Sequence, residues 1–551
     1  MSVVSLPKTE RKMNWLSSSS VLVAMLLMLP IVVIVGFVFS GSVEVFTHLY
    51  QTVLVDYVSN SLLLMFGVGI GVLVLGIPTA WLTSVCDFPG RAVFSWALLL
   101  PLAVPAYIIA YTYTGLLDFA GPVQTFIRDV TGLGYGEYWF FEIRSLTGAM
   151  LMLALVLYPY VYLLSRAAFL EQSASTLEVS RTLGYSQWQG LFRLALPLAR
   201  PAIIAGLTLA LMETLADYGT VQYFGVSTFT TGIFRTFYGF GDSAAAAQLA
   251  AFLLGFVALL VLVEKYSRRK ARYHSSSEYK AKAKLIELKG WKAIFAFLVC
   301  LGPVLLGFII PAAVLGYWSL AKADLSDGAF AELAWNSFYL AFLAALIAVG
   351  FALLLAYAGR LNPSKKVRLS IATAGMGYAL PGTIIAVGVI IPFAWLDHQL
   401  IAIAKEWLGI DPGLMLSGTL AALLFAYTVR FLAVSLGSVQ SGLGKIKPSL
   451  DGAARTLGCG PMQVLRKIHV PLMRSSVLTA LLIVFVDVLK ELPATLILRP
   501  FNFNTLAVRA FELASDERLV DAAPASLLIV AVGLLPVILL SRSISKGRAG
   551  S

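Results

Sequence analysis

The sequence predicts an all-α polytopic membrane protein of about 12 transmembrane helices, arranged as two parallel six-helix repeats. Three observations predict it. Apolar residues fall in runs long enough to cross a bilayer, basic residues gather in alternate loops, and short motifs recur at a nearly constant offset. Hydrophobic residues fill 59 % of the 551 positions and charged residues 13 %, about half the charge share of a soluble domain. About 20 apolar residues span a bilayer at ~1.5 Å rise each. The first such run is Ser20–Phe39 (SVLVAMLLMLPIVVIVGFVF). Others follow near 60–84, 93–116, 147–165, 201–224, 244–263, 293–316, 338–358, 371–395, 414–436, 475–497 and 524–541. The first run lacks a small-residue cleavage site close behind it and reads as a retained helix rather than a signal peptide.

The net charge of +12 is not spread like a nucleic-acid surface. One set of alternate loops holds Lys8, Arg11, Lys12, Arg166, Arg181, Arg193, Arg200 and the dense run 265–292. It continues through Arg360, Lys365, Lys366, Arg368, Lys445, Lys447, Arg455, Arg466, Lys467 and Arg474 to Arg542, Lys546 and Arg548. The opposite loops hold only scattered bases, among them Arg128, Arg144, Arg235, Lys322, Lys405, Arg499, Arg509 and Arg518. The positive-inside rule then places both termini in the cytoplasm, which needs an even number of spans. Cys86, Cys300 and Cys459 form neither a metal-ligand spacing nor a disulfide framework, and no fixed metal site is expected.

The segment Ser275–Gly290 (SSSEYKAKAKLIELKG) is the one long polar, basic stretch in the middle of the chain. It divides the sequence into a tail (1–19), a first six-helix domain (20–265), a basic cytoplasmic linker (266–290), a second six-helix domain (291–545) and a short tail (546–551). Asn60-Ser61 recurs as Asn336-Ser337, and Pro105-Ala-Tyr-Ile-Ile as Pro381-Gly-Thr-Ile-Ile, both 276 positions on. Arg181-Thr-Leu-Gly184 recurs as Arg455-Thr-Leu-Gly458, Pro197 as Pro471, and Thr231, Arg235 and Phe237 as Thr505, Arg509 and Phe511, now 274 positions on. Six spans per half give both halves the same orientation, and parallel repeats of this kind enclose a path.

Between the fourth and fifth spans of each half lies a polar element, Leu177–Pro201 and Asp451–Ser475. Each has helical pattern on both sides of a glycine, Gly184 or Gly458, a residue that readily takes the left-handed turn ending a helix. Pro197 and Pro471 fit the first turn of the next membrane helix. The pair resembles the E-A-A-x-x-x-G-x(9)-I-x-L-P coupling motif of binding-protein-dependent ABC-transporter permeases. Glu178, Gly184 and Leu194-Ala-Leu-Pro197 carry the first copy; Gly458 and Ile468-His-Val-Pro471 carry the second. Val179-Ser180 replace the two alanines, and Gly452 stands where the second glutamate belongs, with Asp451 one place early. The resemblance implies a type I importer permease whose coupling residues are Glu178, Arg181, Thr182, Gly184, Pro197, Asp451, Arg455, Thr456, Gly458 and Pro471. No G-x-x-x-x-G-K-[ST] phosphate loop occurs in the chain. It therefore implies a separate ATPase dimer that uses ATP and Mg, while this chain carries no cofactor and is not itself an enzyme.

The fifth span of each half carries acids. LALMETLADYG holds Glu213 and Asp217; VFVDVLKELPA holds Asp487 and Glu491, again 274 positions on. Each pair is i, i+4 and lies on one helix face. A charge at membrane depth costs roughly 2.5–3.5 kcal/mol, so such residues face a watery path or a partner. Oxygen ligands suit hard cations, and Tyr218 adds a phenolic oxygen. One reading makes these groups the lining of a cation pathway. Another makes them structural, with Lys490 neutralising Asp487 or Glu491, and a third gives them to partner docking. The surrounding segments Glu213–Asp242 and Lys490–Glu517 resemble the fused two-domain permeases of bacterial iron(III) importers. That resemblance implies an inner-membrane protein that takes ferric iron from a periplasmic binding protein, with Arg235, Arg499 and Arg509 placed to meet it. Within the same family the alternative is a permease for thiamine or another small solute. Outside it, the alternative is a proton-coupled secondary transporter using Glu213 or Asp487. The aromatic stretch Gly132–Arg144 reads as an interfacial belt, and no nucleophile–base–metal constellation points to a membrane enzyme.

Overall fold

The computed structural model describes residues 15–40, 43–134, 136–171, 187–269, 285–321 and 329–549. Twelve principal helices follow in chain order. They are α1 (Trp15–Ser40), α2 (Leu54–Val85), α3 (Ala106–Leu117), α4 (Leu146–Glu171), α5 (Leu196–Ala216) and α6 (Ser243–Arg269). The second series is α7 (Trp291–Leu320), α8 (Ala329–Leu361), α9 (Gly382–Leu408), α10 (Leu420–Gly444), α11 (Arg474–Leu489) and α12 (Leu519–Ala549). Among the described residues ten spans are long and apolar enough to cross a membrane, and the number is 12 when each of two bent pairs is counted as one span. Lipid explains their outer faces. On α2, Leu63, Phe66 and Val74 are 50–69 % exposed, an arrangement ruinous in water but neutral against acyl chains.

The bent third span follows from a proline. Val104 and Leu380 are extended (ψ 116° and 131°), as a residue before proline prefers. Pro105 and Pro381 have φ −57° and −53° with ψ 142° at both, and α3 or α9 starts directly after them. A short 3-10 turn precedes each proline, Leu100–Ala103 and Gly375–Ala379. The repeat seen in the sequence is thus a repeat in backbone conformation. In the first copy the two arms, Arg91–Ala103 and Ala106–Thr131, meet at 90°. The run expected at 371–395 is correspondingly displaced: the membrane helix begins only at Gly382 and reaches Leu408. The fifth spans are also shorter than expected, stopping at Ala216 and Leu489.

Contacts divide the chain into two compact units that do not follow the linear halves. One comprises 1–36, 337–494 and 498–503; the other comprises 37–336, 495–497 and 504–551. The opening helix of each repeat is therefore counted with the core of the other repeat. In the first unit the backbone of Pro30 in α1 lies against Gly388 of α9, where an added Cβ would stand 2.7 Å from the Pro30 carbonyl oxygen. In the second unit Phe297 of α7 meets Phe94 edge-on at 5.1 Å, and the Tyr113 hydroxyl of α3 donates to the Leu306 carbonyl at 2.7 Å. The same unit holds a two-residue parallel pairing of β1 (Cys86–Asp87) with β2 (Ile286–Glu287), which fixes the far end of the basic linker.

Replacing Gly388 with leucine should force α1 from α9 and destabilise the protein by about 1–3 kcal/mol, the usual cost of overpacking. A lowered thermal midpoint in detergent checks this; an unchanged midpoint would show that α1 is not packed there.

Candidate functional site

The element between α10 and α11 is the second of the two repeated polar loops. Its first helix, Pro448–Thr456, begins with proline at the position that needs no N–H. Gly458 follows at φ 80°. Its N–H donates to the Arg455 carbonyl and that of Cys459 to the Ala454 carbonyl, both at 3.0 Å, the Schellman pairing that closes a helix. Leu457, 83 % exposed, stands at the tip, with Arg455 and Thr456 exposed beside it.

The chain then runs through Pro461–Val464, a π turn at Leu465–His469 and Val470–Leu472. It breaks at Met473 (φ −103°, ψ 18°), and α11 leaves at 82° to what precedes it. Pro471 is therefore in the last turn before the bend, not in the first turn of the membrane helix as expected. Proline cannot donate to the preceding turn and its ring crowds the carbonyl four residues back. In the first repeat Pro197 is the second residue of α5, directly after an equivalent π turn, Leu191–Ala195, and the span runs on unbroken from Leu191 to Ala216. Glu178, Arg181, Thr182 and Gly184 lie outside the described residues.

Asp451 is turned inward. Arg360, at the end of α8, donates Nε to Asp451 Oδ2 at 2.7 Å and Nη2 to Oδ1 at 3.2 Å. The same guanidinium donates Nη1 to the Leu443 carbonyl at 2.7 Å and Nη2 to the Ile446 carbonyl at 2.9 Å. His469 Nε2 lies 2.7 Å from Asp451 Oδ1. The Tyr357 hydroxyl donates to the Pro461 carbonyl at 2.7 Å, and its ring meets His469 edge-on at 5.4 Å. Tyr357, Leu361 and Leu465 form a buried cluster beneath, with Val470 packed on it. Burial raises the pKa of the Asp451 carboxyl, but the hydrogen bonds and charges of Arg360 and His469 outweigh it and hold the group below the usual carboxylate range.

The intramembrane acids occupy equivalent breaks. α5 ends at Ala216 with Asp217 as its C-cap. Asp217 Oδ1 accepts from the backbone N–H of Thr220 (3.0 Å) and Val221 (3.1 Å), and Oδ2 from the Thr220 hydroxyl (3.0 Å). These bonds cap the short helix Gly219–Tyr223. In the second repeat α11 ends at Leu489, and Glu491 Oε1 accepts from the Ala494 N–H at 2.9 Å, opening the helix Pro493–Leu498. Glu491 is further held by Arg430 Nη1 of α10 at 3.2 Å, with only 2 % of the glutamate side chain and 13 % of the arginine exposed. Gly382 makes room for this pair; a Cβ there would stand 2.6 Å from Glu491 Oε1. Lys490 pairs with Asp487 at 2.9 Å, one of the two partners anticipated for it. Glu213 is half-buried on α5 and its charge acts on Asp217. Tyr218 is buried, its ring stacked on Phe234 at 4.4 Å. Among the described residues no group of three or more His, Cys, Asp or Glu is placed to hold a metal ion.

A membrane protein with two such repeats has clear relatives. The family described as binding-protein-dependent transport system inner membrane component matches residues 10–273 and 348–546. The chain belongs to that family. An Fe(3+)-transport system permease protein of Haemophilus influenzae is 26 % identical over 96 % of this chain and 98 % of its own. A ferric transport system permease protein of Actinobacillus pleuropneumoniae is 26 % identical over 83 % of this chain and 66 % of its own. A molybdenum transport system permease protein of Escherichia coli is 26 % identical over 40 % of this chain but 95 % of its own. One whole single-unit permease thus fits within less than half of this permease, as a duplicated chain requires.

In this permease the three arginines expected to meet a binding protein differ in exposure. Arg235 lies near the Tyr57 hydroxyl, on which its charge acts, and remains exposed. Arg499 and Arg509 are half-buried; Arg509 sits on the helix Leu506–Ser515, which Thr505 caps through the Val508 N–H. Arg144, not singled out from sequence, bridges Asp118 (3.2 Å) and Glu517 (3.0 Å). Arg430 and Arg360 were also missed. A lone arginine inside the apolar 25-residue α10 was the available signal for the first. Arg360 read only as one of many loop bases.

Arg430→Met strands the Glu491 carboxylate and should cost about 3–5 kcal/mol of stability, most of it recovered by adding Glu491→Gln. Thermal midpoints of the single and double variants check this, and equal losses in both would refute it. For Asp451 the folded pKa lies below the unfolded value of about 3.9. Its contribution is thus fully present above that value and lost as pH falls through the folded pKa. The stability difference between the wild type and Asp451→Asn should be present at neutral pH and close as the pH falls through the folded pKa in strong acid; a difference that persists there would refute it.

Proposed function

We propose that this permease imports ferric iron, supplied by a periplasmic binding protein and driven by a separate ATPase dimer on the cytoplasmic face. The observation that carries the reading is the end-to-end likeness to an Fe(3+) permease, joined to a repeated polar element of the coupling type. Both termini are cytoplasmic in this reading, which sets the Gly458 tip and its first-repeat counterpart toward the ATPase. The exposed Leu457 is the apolar knob that such a subunit grips. Force applied there reaches α11 through the π turn and the bend at Met473, tilting the helix that carries Asp487. Glu213 and Asp487 are the acids assigned to the passing cation. Asp217, Tyr218 and Glu491 shape the helix breaks beside them. Arg235, Arg499 and Arg509 belong to the face that receives the binding protein.

Reconstitution tests this directly. Vesicles holding the permease with its ATPase and binding protein should accumulate labelled ferric iron at least 10-fold above background, only with ATP and Mg inside the ATPase compartment. Uptake of thiamine or molybdate in place of iron would reassign the cargo. Uptake without any ATPase would replace the reading by a proton-coupled one.

Gly458→Val places a branched residue at φ 80°, a region that costs such a residue ~1–2 kcal/mol. It should lower uptake per ATP hydrolysed at least 10-fold while the ATPase still co-purifies. Glu213→Gln and Asp487→Asn should each slow iron uptake with ATPase docking retained; unchanged uptake in both would return these acids to a structural role.

A further inference from the structure

We propose that Arg360 is a positioning residue for energy coupling, a clamp that binds the second coupling element to the ends of α8 and α10 as one rigid lever. The inference rests on the transport reading and adds to it a residue outside the repeated motif. The guanidinium uses all three of its nitrogens on two different elements. Nη1 and Nη2 take the Leu443 and Ile446 carbonyls where α10 ends, while Nε and Nη2 take the Asp451 carboxylate on the coupling helix. Its own backbone belongs to α8. Three elements are thereby held by one planar group, and both charges are largely shielded from solvent, at 14 % and 13 % exposure. His469 holds the same carboxylate from the π turn on the far side of the Gly458 tip, so both arms of the element converge on Asp451. The Tyr357 bond to Pro461 adds a second tie from α8.

This clamp is not part of the duplication. At the repeat offsets Arg360, Asp451 and His469 correspond to Ser84, Leu177 and Ala195. Ser84 spends its hydroxyl within its own helix, on the Ala80 carbonyl at 2.6 Å. The second repeat thus carries ionisable side chains at three positions where the first has serine, leucine and alanine. An acid standing one place early in the motif is accounted for as well: it faces Arg360 rather than a partner protein. Lysine cannot substitute, because a single ammonium lacks the fork that reaches a carboxylate and two carbonyls together.

The experiment compares Arg360→Lys, Arg360→Gln, Asp451→Asn and the double variant Arg360→Gln/Asp451→Asn in the reconstituted transporter. Uptake per ATP hydrolysed should fall at least 10-fold in each single variant, lysine included, and no further in the double. A ratio equal to wild type in Arg360→Gln, or losses that multiply in the double, would overturn the clamp. Arg360→Lys keeps the charge and guards against a variant that merely fails to fold. Trypsin cleavage after the exposed Arg455 supplies a readout independent of transport: it should quicken at least 10-fold in Arg360→Gln. If wild-type vesicles show no ATP-driven uptake, the transport reading fails, and unchanged cleavage at Arg455 then decides against the clamp by itself.

Discussion

Lipid offers no hydrogen bonds, and nearly every irregular feature of this chain answers to that constraint. A membrane helix may stop only where something accepts the exposed N–H groups of the next segment. Asp217 and Glu491 meet that demand at matching positions, one through three bonds to Thr220 and Val221, the other through Ala494 and an arginine. The proline breaks meet it differently. Pro105 and Pro381 remove a donor instead of satisfying one, and a 3-10 turn tightens the chain just before each.

The same scarcity governs charge. Three cations within or beside the apolar segments find oxygen close by: Arg430 takes Glu491, Lys490 takes Asp487, and Arg360 takes Asp451 with two carbonyls. Buried pairs of this type add little net stability over apolar packing, but losing one partner is costly. They therefore specify position more than they add strength. In the second repeat they specify where the polar loop stands relative to α8 and α10, which is what a mechanical linkage needs.

The helical class, the twelve runs and the duplication were legible in the sequence because each rests on a periodic or repeated signal. The glycine at 458 was legible for a local reason: the left-handed turn is a property of one residue. What could not be read was long-range pairing. Nothing near Arg360 in the chain points 91 positions ahead to Asp451, and nothing near Arg430 points to Glu491. The acids stand out in the sequence, yet what each bonds to depends on which backbone lies within reach. Asp217 caps a helix that starts two residues later, a feature hidden by the apolar run continuing through it. The displaced span at Gly382 and the bend after Pro471 were missed for a related reason. Hydropathy reports where apolar residues are, and proline reports only that a donor is absent, so neither fixes on which side of the break the helix resumes.

The π turns carry a historical consequence. Leu191–Ala195 and Leu465–His469 stand at the same place in the two repeats, five residues each. Such a turn is rare and usually a single local widening of an ordinary helix. Two separate origins at one register make the less economical account. The simpler one is that the widened turn was already present in a half-length ancestor, and that both copies inherited it when that ancestor doubled.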